Sequence, residues 1–191
     1  MTERCRCRGL TRRRLLTYGG VVIGGVLAGC LERGEDSAAG LPDPIDLTEG
    51  HVCHACGMVI GAHPGVTAQL YPDGDETLPF DSVREALSYV LDGLSSGELD
   101  QVGYVADLSK ASYETEVIDG VTYLWVDTQA SVFSPLGSVV YVIDSSARGA
   151  MGQEVWPMGE EHDAQAFIDH FGGEIVEPSQ LQLHHLDTGS H

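Results

Sequence analysis

Two segments of the chain repeat apolar residues at the spacing of one helix face, which predicts two amphipathic helices. The first segment, 82–94, follows a possible cap at Asp81 or Ser82. Its apolar face consists of Val83, Ala86, Leu87, Val90 and Leu91. The second segment, 162–171, ends at Gly172 and Gly173, which favour a helix stop. Its apolar face consists of Ala164, Phe167, Ile168 and Phe171.

Short runs rich in Val, Tyr and Thr, bounded by Gly, Pro and Asp, predict strands. These runs are 66–71, 103–107, 121–127, 139–143 and 174–176. Asp119-Gly120 lies between apolar residues, and this dipeptide is a strong signal for a hairpin turn. Strands and helices in this order predict an α+β fold.

The two predicted helices have similar surroundings. Leu78-Pro79-Phe80 precedes the first helix and Trp156-Pro157-Met158 precedes the second. Each helix has a possible hairpin before it and a strand after it, which suggests two small β-β-α-β units in tandem. We expect the first unit at 47–112 and the second at 113–178. The polar residues 179–191 are expected to form a disordered tail.

The N-terminus has the composition of an export signal. Residues 1–29 combine six arginines, including the pair of a twin-arginine signal, with a short apolar run. Leu27-Ala28-Gly29-Cys30 is typical of a lipobox, which predicts lipidation of Cys30; the alternative is an uncleaved N-terminal anchor. Residues 30–46 are expected to be a flexible tether. Both alternatives predict a domain anchored to the cell membrane on its extracytoplasmic face.

The net charge of the chain indicates the salt concentration in which the protein works more than it indicates a mechanism. The chain has a net charge of −19, and without the basic first 29 residues the rest carries −24. Such a charge repels nucleic acid, so no nucleic-acid partner is expected. Molar salt screens this self-repulsion, because the Debye length falls to about 3 Å. The acids are spread along the chain, which favours a salt-adapted protein, as expected of a haloarchaeon, over a localised acidic surface that attracts cations or a basic partner.

Soft donor atoms are concentrated in residues 51–58. Cys53 and Cys56 are candidate thiolate ligands, and Met58 and His54 are candidate thioether and imidazole ligands. Soft donors select Cu(I) over hard-ligand metals such as Mg²⁺ and Ca²⁺. Met151, between two small residues in a loop, is a candidate ligand from far along the chain. Met158 is expected to pack in the core.

Other interpretations of Cys53-x-x-Cys56 stay open. It could be a redox dithiol, a disulfide of a very small loop, or half of a zinc site completed by His51 and His54. Glycines and a proline soon after Cys56 disfavour a long helix there, which weakens the redox alternative. No nucleophile elbow or phosphate loop is present, so we expect no enzyme. The alternative function is an extracytoplasmic thiol-disulfide oxidoreductase.

The motifs together resemble those of the NosL family, the copper-binding lipoproteins accessory to nitrous-oxide reductase. The resemblance covers most of residues 50–177. It is carried by Cys53-His54-Ala55-Cys56-Gly57-Met58, Phe80-Asp81-Ser82-Val83-Arg84, Met151-Gly152-Gln153-Glu154-Val155-Trp156-Pro157, Ala166-Phe167 and Gly172-Gly173. We interpret the segment 80–84 as the structure of a helix start and not as ligands.

The resemblance implies a function and a fold. It implies a Cu(I) chaperone that delivers copper to the nitrous-oxide reductase apo-protein in denitrification, with a fold of two β-β-α-β units similar to organomercurial lyase. It also implies that Met151 is a copper ligand. Some members have an assisting histidine two residues later, where this chain has Gln153, a poor Cu(I) ligand. His54 or a cysteine would then complete the coordination.

Overall fold

The structure, a computed structural model, describes residues 40–187 except residues 49, 73, 75, 94 and 95. The predicted signal, Cys30 and the tether up to residue 39 lie outside the described residues. Within the described ranges, no helix is both long and apolar enough to cross a membrane.

The described part of the chain combines two α-helices with short strands in three sheets. The helices are α1 (Val83–Gly93) and α2 (Glu161–Phe171). The strands are β1 (Ala68–Leu70), β2 (Leu78–Phe80), β3 (Gly103–Ala106), β4 (Tyr113–Ile118), β5 (Val121–Val126), β6 (Phe133–Pro135), β7 (Val140–Ile143), β8 (Arg148–Gly149), β9 (Gly152–Gln153), β10 (Trp156–Met158) and β11 (Glu174–Val176). Both predicted helices and all five predicted strand regions are present, so the fold is mixed α and β, as predicted.

Local sequence explains where the two helices begin and end. The Ser82 hydroxyl accepts a hydrogen bond from the Glu85 N–H at 3.3 Å and so caps α1. The expected apolar face of α1 is buried at Val83, Ala86, Leu87 and Val90. Helix α2 ends at Gly172, whose positive φ of 70° suits glycine and whose N–H bonds the Ile168 carbonyl.

Two of the sheets have the same connectivity. The strands before and after α1 pair antiparallel in the order β2-β1-β3, and those around α2 pair in the order β10-β7-β11. In each case the first strand of the set is central and a helix connects the second strand to the third. Strand β6 extends the first sheet beside β3, so this sheet includes residues beyond position 112.

The third sheet, β4-β5-β8-β9, contains the hairpin predicted at Asp119-Gly120. Both residues have positive φ, 51° and 82°, as a two-residue turn that matches strand twist requires. Strand β5 pairs parallel with β8, and β8 turns back into β9 through Ala150 and Met151. The Met151-Gly152 segment therefore belongs to this third sheet and not to the β10-β7-β11 sheet around α2.

A buried carboxylate, Asp107, joins the first two sheets. Its Oδ2 accepts a hydrogen bond from the Ser134 hydroxyl of β6 at 2.8 Å. Its Oδ1 accepts the Gly159 N–H, just after β10, at 2.7 Å. Asp107 is 1% exposed, so these bonds replace lost water contacts.

The C-terminal segment corrects one expectation. Residues 179–187, expected to begin a disordered tail, pack against the domain. Leu181 and Leu186 are buried, and the Arg84 guanidinium donates to the Leu186 carbonyl at 3.5 Å. The segment is mostly polar in composition, but Leu181 and Leu186 pack in the hydrophobic core. Residues 188–191 lie outside the described residues.

Candidate metal site

The loop of residues 51–60 is folded by its own backbone. Val52 and Val59 form an antiparallel bridge, and the Cys53 N–H donates to the Met58 carbonyl at 2.8 Å. Gly57, with φ of 77°, donates its N–H to the Cys53 carbonyl at 3.0 Å. This turn buries Cys53 and leaves Cys56 exposed, and both cysteines are free.

The start of α1 brings two carboxylates to the cysteines. The Cys56 thiol lies 3.4 Å from Asp81 Oδ2, and the Cys53 thiol lies 3.7 Å from Glu85 Oε2. One ligand atom from each of these four residues lies within 4.8 Å of every other. Asp81 and Glu85 are half-buried. We call Cys53, Cys56, Asp81 and Glu85 the Cys-carboxylate cluster.

The electrostatics of the cluster keep its buried thiol protonated. Burial, and next the Asp81 carboxylate, raise the pKa of Cys53 to about 12. Backbone N–H groups of Cys56, Asp81 and Ala55 oppose this rise because they donate to the sulfur. Burial and the negative charge of Asp81 also raise the pKa of Glu85. A thiol with a raised pKa is a poor nucleophile at neutral pH, which argues against the redox dithiol interpretation.

His54 lies beside the cluster but is not part of it. Its ring makes edge contacts with Phe80 and Tyr89, each at a centroid distance of 5.7 Å. The backbone N–H of His54 donates to the Pro79 carbonyl at 2.7 Å. These contacts fix the loop against β2 and leave the imidazole exposed. Met58 is half-buried in the same loop.

Met151 projects from the β8–β9 turn and is 43% exposed. Backbone contacts place this turn close to the start of α1. The Ala150 N–H donates to the Pro64 carbonyl at 2.7 Å. A Cβ at Gly149 would lie 3.2 Å from the Gly65 Cα, and one at Gly65 would lie 3.0 Å from the Asp81 carbonyl oxygen. Gly65 therefore lies between the two segments, in close contact with Gly149 at the base of the Met151 turn and with the backbone of Asp81.

Glu154 makes the second link between the Met151 segment and α1. Its Oε1 accepts the N–H groups of Arg84 and Val155, each at 2.9 Å. Burial raises the pKa of Glu154 to about 7, against opposing hydrogen bonds. The Glu154 carboxylate thus accepts a backbone hydrogen bond at the N-terminal turn of α1, although it lies 70 residues further along the chain. The Gln153 amide, in contrast, donates to Asp144 at 2.7 Å.

Met158 is 1% exposed in β10, which agrees with its predicted packing role. The three methionines of the described residues thus differ clearly in accessibility: Met151 is exposed, Met58 is half-buried and Met158 is buried.

Comparison with known families decides the classification. The family model described as NosL matches residues 44–185. This chain belongs to the NosL family. The membership expected from the Cys53–Met58 and Met151–Pro157 motifs is confirmed, and the match covers nearly all of the described residues.

Two NosL proteins have similar sequences. The copper-binding lipoprotein NosL of Stutzerimonas stutzeri is 27% identical over 150 residues, which cover 78% of this chain and 70% of that protein. The copper-binding lipoprotein NosL of Achromobacter cycloclastes is 29% identical over 153 residues, covering 77% of this chain and 74% of that protein.

A solved NosL structure has a similar fold. The crystal structure of the copper chaperone NosL from Shewanella denitrificans aligns with a TM-score of 0.58 at 29% identity. The alignment covers 75% of this chain and 96% of that one. These names describe copper chaperones and copper-binding lipoproteins, and not enzymes, in agreement with the prediction of no enzyme.

The sequence interpretation of this NosL chain missed Asp81 and Glu85 as members of the cluster. The prediction of helix-start structure at residues 80–84 is correct for the Ser82 cap but does not include Asp81 in the cluster. The available signal was their spacing, because residues four apart at a helix start lie on one face. The proximity of that face to Cys53 depends on tertiary packing, which spacing alone does not show.

Proposed function

We propose that this protein is a Cu(I) chaperone, lipid-anchored through Cys30 on the extracytoplasmic face, that delivers copper to nitrous-oxide reductase. The observation that carries the proposal is the free thiol pair of Cys53 and Cys56 in an open loop, with one sulfur exposed. Soft sulfur donors favour Cu(I). The names of the NosL relatives support copper as the cargo.

The proposed ligands are Cys53, Cys56 and Met151, with Met58 or His54 as auxiliary donors. Gly65 and Gly149 let the Met151 turn approach the start of α1, which supports a site built from both segments. Delivery requires ligand exchange with the recipient. The exposure of Cys56 and Met151 suits that exchange, because an incoming ligand can reach the metal without unfolding the domain.

We also propose that the matching β2-β1-β3 and β10-β7-β11 arrangements represent two tandem β-β-α-β units, similar to the organomercurial lyase fold. The common connectivity around α1 and α2 supports this relation. In this arrangement the first unit contributes the cysteine loop. The segment that leads into the second unit's β10 contributes Met151.

Anaerobic titration with Cu(I), against a chromophoric Cu(I) chelator, tests the binding step. We expect one tightly bound Cu(I) and weaker binding in Met151→Ala. Met158→Ala is the matched control, because it removes the same thioether from a buried position and should lower stability with little effect on Cu(I) affinity. Absence of stoichiometric Cu(I) binding, or equal losses in both variants, would reject the proposed site.

The recipient needs its own test. Copper-loaded protein mixed with nitrous-oxide reductase apo-protein should transfer its copper, and Cys53→Ser/Cys56→Ser protein should transfer none. Transfer at the rate of free chelated Cu(I), with no advantage from the chaperone, would contradict delivery.

A further inference from the structure

A buried carboxylate, that of Glu154, follows the exposed Met151 turn by three residues. Glu154 is 2% exposed, whereas Met151 is 43% exposed. Burial of a carboxylate is costly unless hydrogen bonds replace the lost water contacts. The groups that supply those bonds therefore show which parts of the fold this side chain holds together.

One end of the carboxylate forms part of the N-terminal cap of α1. In the first turn of this helix the Glu85 N–H donates to the Ser82 hydroxyl at 3.3 Å. The preceding Arg84 N–H has no partner within its own helix and donates to Glu154 Oε1 at 2.9 Å. The Ser82 side chain also bonds the same carboxylate. Glu154 thus caps α1 from another segment, at the helix end where negative charge is favoured.

The other end of the carboxylate lies at the base of the Met151 turn. A Cβ at Gly149 would lie only 3.3 Å from Glu154 Oε2, so the carboxylate fills the space beside this glycine. Only two residues, Ala150 and Met151, connect β8 to β9 beyond that point. A turn this short follows its base, so the place of the carboxylate determines where Met151 lies.

The start of α1 that Glu154 caps also contacts the cysteine loop. Glu85 Oε2 lies 3.7 Å from the Cys53 thiol. Asp81, just before the helix, has its Oδ2 at 3.4 Å from the Cys56 thiol. One buried carboxylate therefore connects the β8–β9 turn to the element against which both cysteines pack.

We propose that Glu154 is a positioning residue of the proposed Cu(I) site, which holds the Met151 thioether within reach of a metal bound by the cysteine loop. This inference rests on the proposed function, because it assigns Glu154 a role in that site. Glu154 itself makes no bond to the metal. Removal of a group that orients metal ligands lowers metal affinity by about 10–100-fold.

A double-mutant cycle on Cu(I) affinity tests this role in the reduced full chain under anaerobic conditions. Glu154→Ala should weaken Cu(I) binding by about 10-fold or more. The variant Glu154→Ala/Met151→Ala should bind no more weakly than Met151→Ala alone, because no thioether is left to position. Glu154→Gln keeps the oxygen acceptor and should restore most of the affinity. The matched control is Gln153→Ala, since the Gln153 amide donates to Asp144 and not to α1.

A general loss of stability would not produce this pattern. Met158→Ala, which removes a buried side chain away from Glu154, is the stability control and should keep its Cu(I) affinity. In the metal-free protein, the Met151 ε-methyl NMR signal should shift in Glu154→Ala and stay near its wild-type position in Glu154→Gln. Glu154→Asp, which is one methylene shorter, takes the place of the alanine variant in each measurement if that variant unfolds.

Failure of the positioning role is distinguishable from failure of the Cu(I) site. Additive losses in the double variant, wild-type affinity in Glu154→Ala, or an unmoved Met151 methyl signal would overturn the role of Glu154 and leave the Cu(I) site in place. Wild-type protein that binds no Cu(I), or Met151→Ala with wild-type affinity, would overturn both proposals.

Discussion

Glu154 makes the stability of this domain depend on pH, and Glu154→Gln should remove that dependence. The carboxylate is fully buried, and burial raises its pKa from 4.5 to about 7. The native state therefore binds this proton more tightly than the unfolded state does. Its favourable contribution to folding is complete below about pH 4.5 and is lost as the pH rises to about 7.

The difference between these two pKa values sets the magnitude. It corresponds to about 3 kcal/mol of unfolding free energy lost between pH 4.5 and pH 7.5. Glutamine keeps the side-chain oxygen that accepts the Arg84 and Val155 N–H groups, and it cannot ionise. We therefore expect the variant to be more stable than wild type above pH 7 and to differ little from it near pH 5.

Denaturant unfolding followed by circular dichroism, from pH 5 to pH 8 at one fixed high salt concentration, measures this difference. Glu114→Gln serves as the control, because Glu114 is exposed on β4. The contributions of other titrating groups cancel in the comparison of variant with wild type. If Glu154→Gln retains the wild-type pH slope, our assignment of a protonated, buried carboxylate is wrong.

Four further results are expected. Leu181→Ala should cost about 2–4 kcal/mol of unfolding free energy and Leu183→Ala, at a position 42% exposed, little; equal effects would contradict a packed C-terminal segment. Gly65→Ala should lower both the thermal midpoint and Cu(I) affinity, since its φ is 149° and a Cβ would meet Asp81; unchanged values would refute the close approach. Met158→Ala should cost about 2–5 kcal/mol in denaturant unfolding. The thermal midpoint should rise from low to molar KCl, as expected for a net charge of −19, and a flat profile would remove the case for salt adaptation.

Sequence periodicity was sufficient for the elements that bury one face. Helices α1 and α2 follow their apolar stripes within about one residue at each end, and β11 lies at the predicted positions. Asp119-Gly120 marked its hairpin because the turn needs two residues with positive φ. In these cases local chemistry and tertiary packing favour the same structure.

Sequence patterns did not predict the strands and contacts that depend on tertiary packing. Strands β6, β8 and β9 have only two or three residues and contain no run of Val, Tyr and Thr, and they form by pairing with neighbouring strands in the folded chain. The grouping of Cys53 with Glu85 depends on packing of the 51–60 loop against α1. The approach of the Met151 turn to the start of α1 runs through Gly65 and Gly149, whose role in a close approach cannot be recognised from composition.

We propose that sulfurs from the cysteine loop and from the Met151 turn bind one Cu(I) together. X-ray absorption at the copper edge of the anaerobic Cu(I)-loaded protein tests this shared coordination. We predict a first shell dominated by two or three sulfurs, with one fewer sulfur in Met151→Ala and no change in Met158→Ala. A shell of nitrogen and oxygen alone, or a sulfur count unaffected by Met151→Ala, would contradict this shared coordination.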